Sequence, residues 1–179
     1  LINLSKYHYC VDVDIKGFFD NVNHGKLLKQ IWTLGIRDKR LICIISKMLK
    51  AEIDGEGVPE KGTPQGGLLS PLLSLIVLNE LDWWVSSQWE TFQPKNRSKN
   101  GWLQYAKKYT KLKSGFIVRY ADDFKIMCST YGEAQRFYHS TVDFLNKRLK
   151  LEISPEKSKV VNLKKNSSDF LGFKIKVIP

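Results

Sequence analysis

Two adjacent carboxylates, Asp122 and Asp123, stand between two short runs of strand-forming residues at 117–118 and 124–127. Such a break between runs predicts a tight turn that joins two strands, with the two acids at its tip. Asp is also common in plain turns, because its short side chain binds local backbone groups. A third carboxylate in a matching place would instead indicate a site for two divalent cations, which need several converging oxygen ligands.

The segment 9–24 supplies such a carboxylate in Asp14. Apolar and charged side chains alternate from residue 11 to residue 16, and this period of two predicts a strand with Asp14 near its C-terminal end. Asn21 or Asn23 can then cap a helix that begins near Gly25. Taken alone, the segment also fits an ordinary half-buried edge strand. Beside a hairpin with two more carboxylates, it suits a site for magnesium.

The third notable block is a loop over residues 62–71, which read GTPQGGLLSP. Its glycines and prolines are too dense for regular structure, so the block predicts a shaped loop that ends where an apolar helix begins at Ser70. A glycine-rich loop lets backbone approach a ligand closely. Without the other blocks, the same composition would fit a plain connector.

The order of elements predicts an α+β fold. We expect a strand at about 7–15, helices at about 25–34, 38–50, 70–86 and 131–149, a hairpin at about 115–129 and short strands to the end. Without insertions this order is strand, helix, hairpin, helix, strand, which is the split βαβ or ferredoxin-like plan. It predicts an antiparallel β-sheet backed by helices on one face, in one domain of ordinary size.

The three blocks resemble motifs A, B and C of reverse transcriptases, in the form found in group II intron-encoded reverse transcriptase/maturases. DIKGFFDN, GTPQGGLLSP followed by LNELD, and RYADDF carry the resemblance. LEISPEKSKVVN at 151–162 resembles motif D, and FLGFKI at 170–175 resembles motif E, the primer-grip hairpin. The resemblance implies a polymerase palm domain over 1–179 with a basic insertion at 87–114. We expect fingers and a thumb/maturase region to lie outside this chain, and the fragment alone to be weakly active or inactive.

The resemblance assigns the metal site to the three acids. It implies that Asp14, Asp122 and Asp123, with the carbonyl of Ile15, hold two Mg²⁺ ions. Carboxylate and carbonyl oxygens are ligands that suit Mg²⁺. The three acids would then be catalytic residues in nucleotidyl transfer onto a primer 3′-hydroxyl.

The same resemblance assigns the nucleotide site. Phe19 matches the position whose ring lies under the sugar and excludes a 2′-hydroxyl, although a buried aromatic at a strand end is the plain alternative. Phe18 is expected to be the core residue of the pair. The loop residues Gln65, Gly66 and Gly67 would touch the incoming nucleotide or the template base.

Two further sites are implied near the C-terminus. Lys157 is the candidate catalytic residue that protonates the leaving pyrophosphate, and Lys159 could serve in its place. Either could also be an ordinary solvated lysine. Leu171 and Gly172 would support the primer through backbone contacts.

The chain is basic, with 29 Lys and Arg against 18 Asp and Glu and a net charge of +11, which favours a polyanionic partner. Residues 92–119 contain no acidic residue. The basic residues in this range are Lys95, Arg97, Lys99, Lys107, Lys108, Lys111, Lys113 and Arg119. Aromatic residues interleave with them, either to bind nucleic acid or to anchor the insertion on the core. The insertion could equally face an intron RNA, a primer–template duplex or a second subunit of a homodimer.

The resemblance implies an RNA-directed DNA polymerase that takes an RNA template, a DNA primer and dNTP, with a role in intron splicing and retrohoming. The alternatives are a maturase scaffold that binds RNA without polymerising, and a related enzyme of a defence, CRISPR or retron system. Cys10, Cys43 and Cys128 are predicted to be reduced core thiols, so we expect a bacterial cytoplasmic or an organelle-matrix location. No apolar run is long enough to predict a membrane span.

Overall fold

The computed structural model describes residues 6–55, 57–64, 67–88, 91 and 115–177. The strands of the main sheet are β1 (Tyr9–Val13), β2 (Gly115–Tyr120), β3 (Asp123–Cys128) and β4 (Lys159–Asn162). A separate hairpin consists of β5 (Ser168–Phe170) and β6 (Phe173–Ile175). The helices are α1 (His24–Thr33), α2 (Lys39–Leu49), α3 (Ser70–Gln88) and α4 (Tyr131–Phe144). A 3₁₀ turn covers Phe19–Asn21, and a π-helical turn covers Leu145–Leu149.

The main sheet has the strand order β2-β3-β1-β4, and each neighbouring pair is antiparallel. Since β3 is antiparallel to both β1 and β2, those two strands run parallel to each other with β3 between them. This is the split βαβ arrangement, and the predicted fold class is confirmed. The hairpin connection between β2 and β3 places its turn at the same end of the sheet as the C-terminal end of β1.

Helices cover one face of the sheet, and the larger core lies between the helices and the sheet. Val11, Val13 and Phe124 point from the strands into this core, where they meet buried residues of all the helices, such as Leu78 and Phe137. The period-two alternation of β1 explains the arrangement, because every second side chain lies on the helical side.

A smaller apolar cluster lies on the other face, where Cys10, Met127, Val161 and Leu163 pack with Ile175 of β6. The β5–β6 hairpin therefore covers part of the face that the helices leave open. The burial of Cys10 and Cys128 agrees with their prediction as core thiols, and burial raises the pKa of Cys10 to about 11.

The sequence prediction for Cys43 is wrong. Cys43 is exposed on α2, because the buried stripe of that helix passes through Ile45 and Leu49 instead. The last long helix covers its predicted range of about 131–149, but regular α-helix ends at Phe144 and the π-helical turn completes the range. Lys150 follows the turn with a left-handed φ of 62°.

Caps at the helix ends follow the sequence signals. The side chain of Asn23 accepts a hydrogen bond from the backbone N–H of Lys26 and begins α1, as one of the two predicted caps. Thr130 and Glu133 form a capping box at the start of α4. None of the helices in the described part of the chain is long and apolar enough to cross a membrane.

We expect Gly115→Ala to lower the free energy of unfolding by about 1–3 kcal/mol. A Cβ at this position would lie 2.2 Å from the ring of Phe137, which is fully buried and cannot move aside. Denaturant titration followed by circular dichroism measures the change. The matched control is Gly25→Ala in α1, where a Cβ meets only Asn23 Oδ1 at 3.6 Å. Reduced chain entropy should make this control neutral or up to about 1 kcal/mol more stable. Equal effects at both glycines would contradict the packing explanation.

Candidate active site

Asp14 follows the last residue of β1 and is held by the segment around residues 152–158. Its backbone N–H donates a hydrogen bond to Ser158 Oγ at 3.0 Å, and its carbonyl accepts one from the N–H of Ser154 at 2.8 Å. The next residue, Ile15, forms an isolated antiparallel bridge with Ile153. The Asp14 backbone is therefore fixed from the side that carries the predicted motif D.

As the sequence predicted, the tip of the β2–β3 hairpin carries both acids, with Asp122 in the turn and Asp123 as the first residue of β3. Ala121 at this turn has a φ of 54°, a left-handed conformation that is uncommon for a residue with a side chain. Arg119 stabilises the turn from β2, because its guanidinium donates to the Ala121 carbonyl at 2.6 Å and forks onto the carboxylate of Asp82 on α3. The helix and the hairpin thus hold the acidic turn in one place.

The three acids meet at one end of the sheet. Val13 lies opposite Phe124 in the β1–β3 register, so Asp14 and Asp123 are the next residues beyond that pair. Burial raises the pKa of Asp123; the nearby Lys125 ammonium lowers it, and the negative charges of Asp12, Asp122 and Asp14 raise it further. The carboxylates are thus close enough to disfavour one another's charge.

The donor set has the chemistry that Mg²⁺ prefers, since it consists of half-exposed carboxylate oxygens at a chain turn. Their mutual repulsion is of the kind that a bound cation relieves. In the described residues, however, no group of three or more His, Cys, Asp or Glu side chains is close enough to hold a metal ion. The chemistry of the residues fits Mg²⁺, and the side chains would have to turn toward it on binding.

Lys157 lies beside the acids, with its Nζ 3.9 Å from Asp14 Oδ2. Its side chain is 68 % exposed, so this contact is loose and the ammonium can move. Lys159 is the first residue of β4 and lies opposite Asp12 in the sheet register. Of the two candidates for the motif D lysine, Lys157 is the one with a contact to a predicted metal ligand.

A pocket of about 440 Å³ opens next to the acidic turn. Phe18, Phe19 and Asp122 line it together with Tyr120 and Leu75. Phe18 is 3 % exposed and Phe19 is only partly buried, which confirms that Phe18 is the core residue of the pair. The ring of Phe19 therefore reaches the pocket that contains a predicted metal ligand.

The loop that follows residue 61 is fastened to the turn that carries Phe19. The N–H of Thr63 donates to the Phe19 carbonyl at 2.8 Å, and the Gly62 carbonyl lies 2.7 Å from His24 Nε2. Gly62 has a φ of 97°, and an added Cβ would lie 3.1 Å from the Asp20 carbonyl oxygen, so glycine is needed here. The hydrogen bond between Thr63 and Phe19 therefore holds the backbone of a residue that lines the pocket.

Only part of the predicted nucleotide loop is described. Gln65 and Gly66 lie outside the described residues. Gly67 donates its N–H to the Pro64 carbonyl at 3.2 Å and precedes the start of α3, where the Ser70 hydroxyl also bonds to Pro64. The loop thus turns tightly into the helix, as its composition predicted.

Leu171 and Gly172 form the tip of the β5–β6 hairpin. Both have positive φ, 52° and 79°, which is the pattern of a two-residue type I′ turn. A left-handed leucine is unusual, and its side chain is 46 % exposed at the tip. The predicted primer-grip residues therefore stand at an exposed hairpin tip.

The seven predicted nucleic-acid-binding residues of the insertion lie outside the described residues: Lys95, Arg97, Lys99, Lys107, Lys108, Lys111 and Lys113. Arg119, which the sequence places at the end of the same basic run, is instead paired with Asp82. Its charge is paired within the protein, where it stabilises the acidic turn.

Sequence reasoning missed three supporting contacts: Arg119 with Asp82, Lys125 with Asp12, and His24 with the Gly62 carbonyl. The contact of Lys125 with Asp12 could have been predicted in part. The alternation in β1 and the hairpin signal identify two strands, and their register determines which residues face each other. The other two contacts join residues on separate elements, and no local pattern reports them.

Curated proteins similar to this chain are intron-encoded. The group II intron-encoded protein LtrA of Lactococcus lactis subsp. cremoris is 32 % identical over 209 residues, covering 93 % of this chain and 35 % of that protein. The putative COX1/OXI3 intron 1 protein of Saccharomyces cerevisiae is 28 % identical over 205 residues, covering 96 % of this chain and 24 % of that protein. The chain therefore spans about a third or less of the length of these relatives.

Solved structures with the same fold include apo telomerase from Candida tropicalis, with a TM-score of 0.63 at 15 % identity. The match covers 94 % of this chain and 31 % of that one. Candida albicans telomerase in complex with a fragment of telomeric RNA has a TM-score of 0.61 at 14 % identity, covering 94 % of this chain and 29 % of that one. These likenesses agree with a polymerase palm fold.

The family model described as "Reverse transcriptase (RNA-dependent DNA polymerase)" matches residues 1–175. The match covers all of the motifs on which the resemblance to this family depends, and the intron-encoded relatives agree with the form of those motifs. This chain belongs to the reverse transcriptase family and is similar within it to the group II intron-encoded proteins.

Proposed function

We propose that this chain is the catalytic core of an RNA-directed DNA polymerase that adds dNTP to a primer 3′-hydroxyl. The observation that carries the proposal is the pocket of about 440 Å³ that both Phe19 and Asp122 line. Its volume is in the usual range of ligand pockets, roughly 300–1,000 Å³. An aromatic wall suits a sugar, and the cluster of carboxylates would suit its triphosphate once a divalent cation neutralises the negative charge of both.

Asp14, Asp122 and Asp123 are the residues that would hold the metal, and the Ile15 carbonyl is a further candidate ligand. When bound, Mg²⁺ would supply Lewis-acid polarisation of the attacking hydroxyl and charge neutralisation of the triphosphate, in the two-ion form expected of this chemistry. The chain's own contribution is to fix the acids: the Asp14 backbone through Ser154 and Ser158, and the turn through Arg119.

Phe19 would select the sugar. The N–H of Thr63 holds the Phe19 carbonyl, so a sugar against the ring would meet a wall whose backbone is held in place. Gln65, Gly66 and Gly67 are proposed to touch the incoming nucleotide or the template base. Lys157, exposed and close to Asp14, would donate a proton to the leaving pyrophosphate.

The nucleic-acid partners are proposed from the family and from charge. An RNA template and a DNA primer would lie across the palm, with the primer supported by the backbone of Leu171 and Gly172. The basic insertion at 87–114 would contact nucleic acid, within one palm domain over 1–179. Because similar proteins are described as group II intron-encoded, we also propose binding to intron RNA and a role in splicing and retrohoming.

Replacing Asp122 and Asp123 together by Asn should abolish Mg²⁺-dependent dNTP incorporation on an RNA template. A loss of roughly a thousandfold or more, about 4 kcal/mol of transition-state stabilisation, is expected when charged ligands become neutral amides of the same size. Primer extension by the full-length protein measures the effect. The matched control is Asp143→Asn, at a carboxylate that is 65 % exposed in a surface pair with Lys147.

Full incorporation by the double variant would place the metal ligands elsewhere. If neither the wild-type protein nor the double variant incorporates dNTP, but both still bind intron RNA tightly, the result would instead support a maturase scaffold without polymerase activity.

Phe19→Ala should let the enzyme use ribonucleotides. Removal of the ring opens the pocket wall, and the preference for dNTP over NTP, measured as the ratio of kcat/KM values, should fall roughly ten- to hundredfold. Phe19→Val should give a smaller change. The control is Phe19→Tyr, which keeps the ring and should keep the preference. Unchanged discrimination in Phe19→Ala would remove this residue from sugar selection.

Lys157→Met should lower kcat by roughly a hundredfold or more if its ammonium is the general acid. The KM for dNTP should change little, because the proton moves only in the transition state. Lys159→Met is the matched comparison, since Lys159 is also exposed but forms no ion pair with Asp14 in the described part of the chain. A rate loss confined to Lys159→Met would transfer the role to Lys159, and full rates in a variant with both substitutions would end the proposal.

A further inference from the structure

Lys125 is a buried lysine beside the acidic turn. It lies on β3, two residues after Asp123, and is only 4 % exposed. Lysine is almost never buried to this extent unless its charge is paired. The chain therefore maintains a positive charge inside the protein next to a proposed metal ligand, and none of the roles assigned above uses it.

The contacts of Lys125 run in three directions. Its Nζ lies 2.6 Å from Asp12 Oδ1, which faces it across the β1–β3 register, and 3.9 Å from Asp123 Oδ1. Its Nζ also lies 5.9 Å from the centre of the Phe170 ring on β5. One ammonium group thus touches the central strand, the proposed metal site and the separate hairpin.

Asp12 completes the connection to the hairpin. Its second carboxylate oxygen, Oδ2, accepts a hydrogen bond from the Ser168 hydroxyl at 3.1 Å, and Ser168 is the first residue of β5. Ser168 is 2 % exposed, so water has little access to this hydrogen bond. The hairpin is therefore attached to the sheet by a buried polar chain from Ser168 through Asp12 to Lys125, next to the apolar cluster around Met127.

We propose that Lys125 is a positioning residue that sets the hairpin with Leu171 and Gly172 relative to the strand with Asp123. The inference rests on the proposed function, in which the hairpin supports the primer and Asp123 helps to hold Mg²⁺. A buried charge pair in which each carboxylate oxygen of Asp12 has a hydrogen-bond partner has few alternative arrangements, so the link fixes a distance. The primer 3′-end and the carboxylates that act on it would thereby keep one relative position.

The alternative role of Lys125 is structural only, as a charge that neutralises Asp12. Both roles predict that Lys125→Met destabilises the protein, because Asp12 would remain half-buried without its partner. The decisive variant is therefore Asp12→Asn combined with Lys125→Met. It removes both charges together and leaves no buried charge unpaired, so it should fold even where the single variant does not.

Two measurements separate the roles, on full-length protein at a temperature where circular dichroism shows each variant to be folded. Hydrogen–deuterium exchange should accelerate by about tenfold or more in peptides covering both 166–177 and 119–124. Single-turnover extension of a bound primer should slow by roughly ten- to hundredfold, as expected for a misplacement of about 1 Å at a reacting centre. The Kd for primer–template and the KM for dNTP should change much less.

Two controls bracket the result. Lys147→Met removes an equal charge from a surface pair in which the lysine is 76 % exposed, and it should alter neither measurement. Lys125→Arg keeps a cation within reach of Asp12 and should recover most of the extension rate.

Normal exchange in 166–177, or an unchanged extension rate, in the folded double variant would reduce Lys125 to charge compensation and overturn the inference. A wild-type protein that extends no primer would instead remove the proposed function. The exchange data would in that case still decide whether Lys125 joins the hairpin to the acidic turn.

Discussion

The antiparallel pairing of β1 with β3 is the constraint on which the site depends. Val13 faces Phe124 in this register, and that pairing alone makes Asp14 the neighbour of Asp123 at the end of the two strands. A slip of one residue would turn the apolar side chains of β1 away from the helices and would separate the acids. The large core against the helices therefore opposes such a slip and helps to fix the geometry of the carboxylates, because a one-residue shift would turn Val11 and Val13 out of the core.

Such a site opposes folding in two ways. Carboxylates in close proximity repel: burial raises the pKa of Asp123 most, the Lys125 ammonium lowers it, and the charges of the neighbouring carboxylates raise it further. Two side-chain-bearing residues, Ala121 and Leu171, also adopt left-handed backbone at the acidic turn and the hairpin tip. Each such residue costs roughly 1–2 kcal/mol. A strained backbone of this kind persists where surrounding contacts hold it in place. At the acidic turn these contacts are the hydrogen bonds from Arg119 to the Ala121 carbonyl and to Asp82.

The fold could be predicted from the sequence where a local pattern determines it. The alternation at 11–16 predicted β1, Asn23 predicted the start of α1, and the Asp pair predicted the β2–β3 turn, since each depends on a few neighbouring residues. The burial of Cys43 was predicted wrongly because α2 is apolar on more than one face, with Ile44 exposed and Ile45 buried. The polar supports of the site could not be predicted. Their partners, such as Ser168 with Asp12, are 156 residues apart and meet only in the finished sheet.

The basic residues near the acids fall into a buried group and an exposed one. The buried residues suit the proposed positioning role, and the exposed one suits the proposed proton transfer. The side chains of Lys125 and Arg119 are 5 % and 12 % exposed and are paired with Asp12 and Asp82. Their charges are held in place by partners in the protein, so a substrate phosphate would have to compete with a carboxylate for them. Lys157 is 68 % exposed and only 3.9 Å from Asp14 at its nearest, so it loses little when it turns toward a substrate. A cation that must deliver a proton has to be mobile, whereas a cation that sets a distance must not be. In the proposed function the two requirements would fall to different residues, because a single lysine cannot be both buried and mobile.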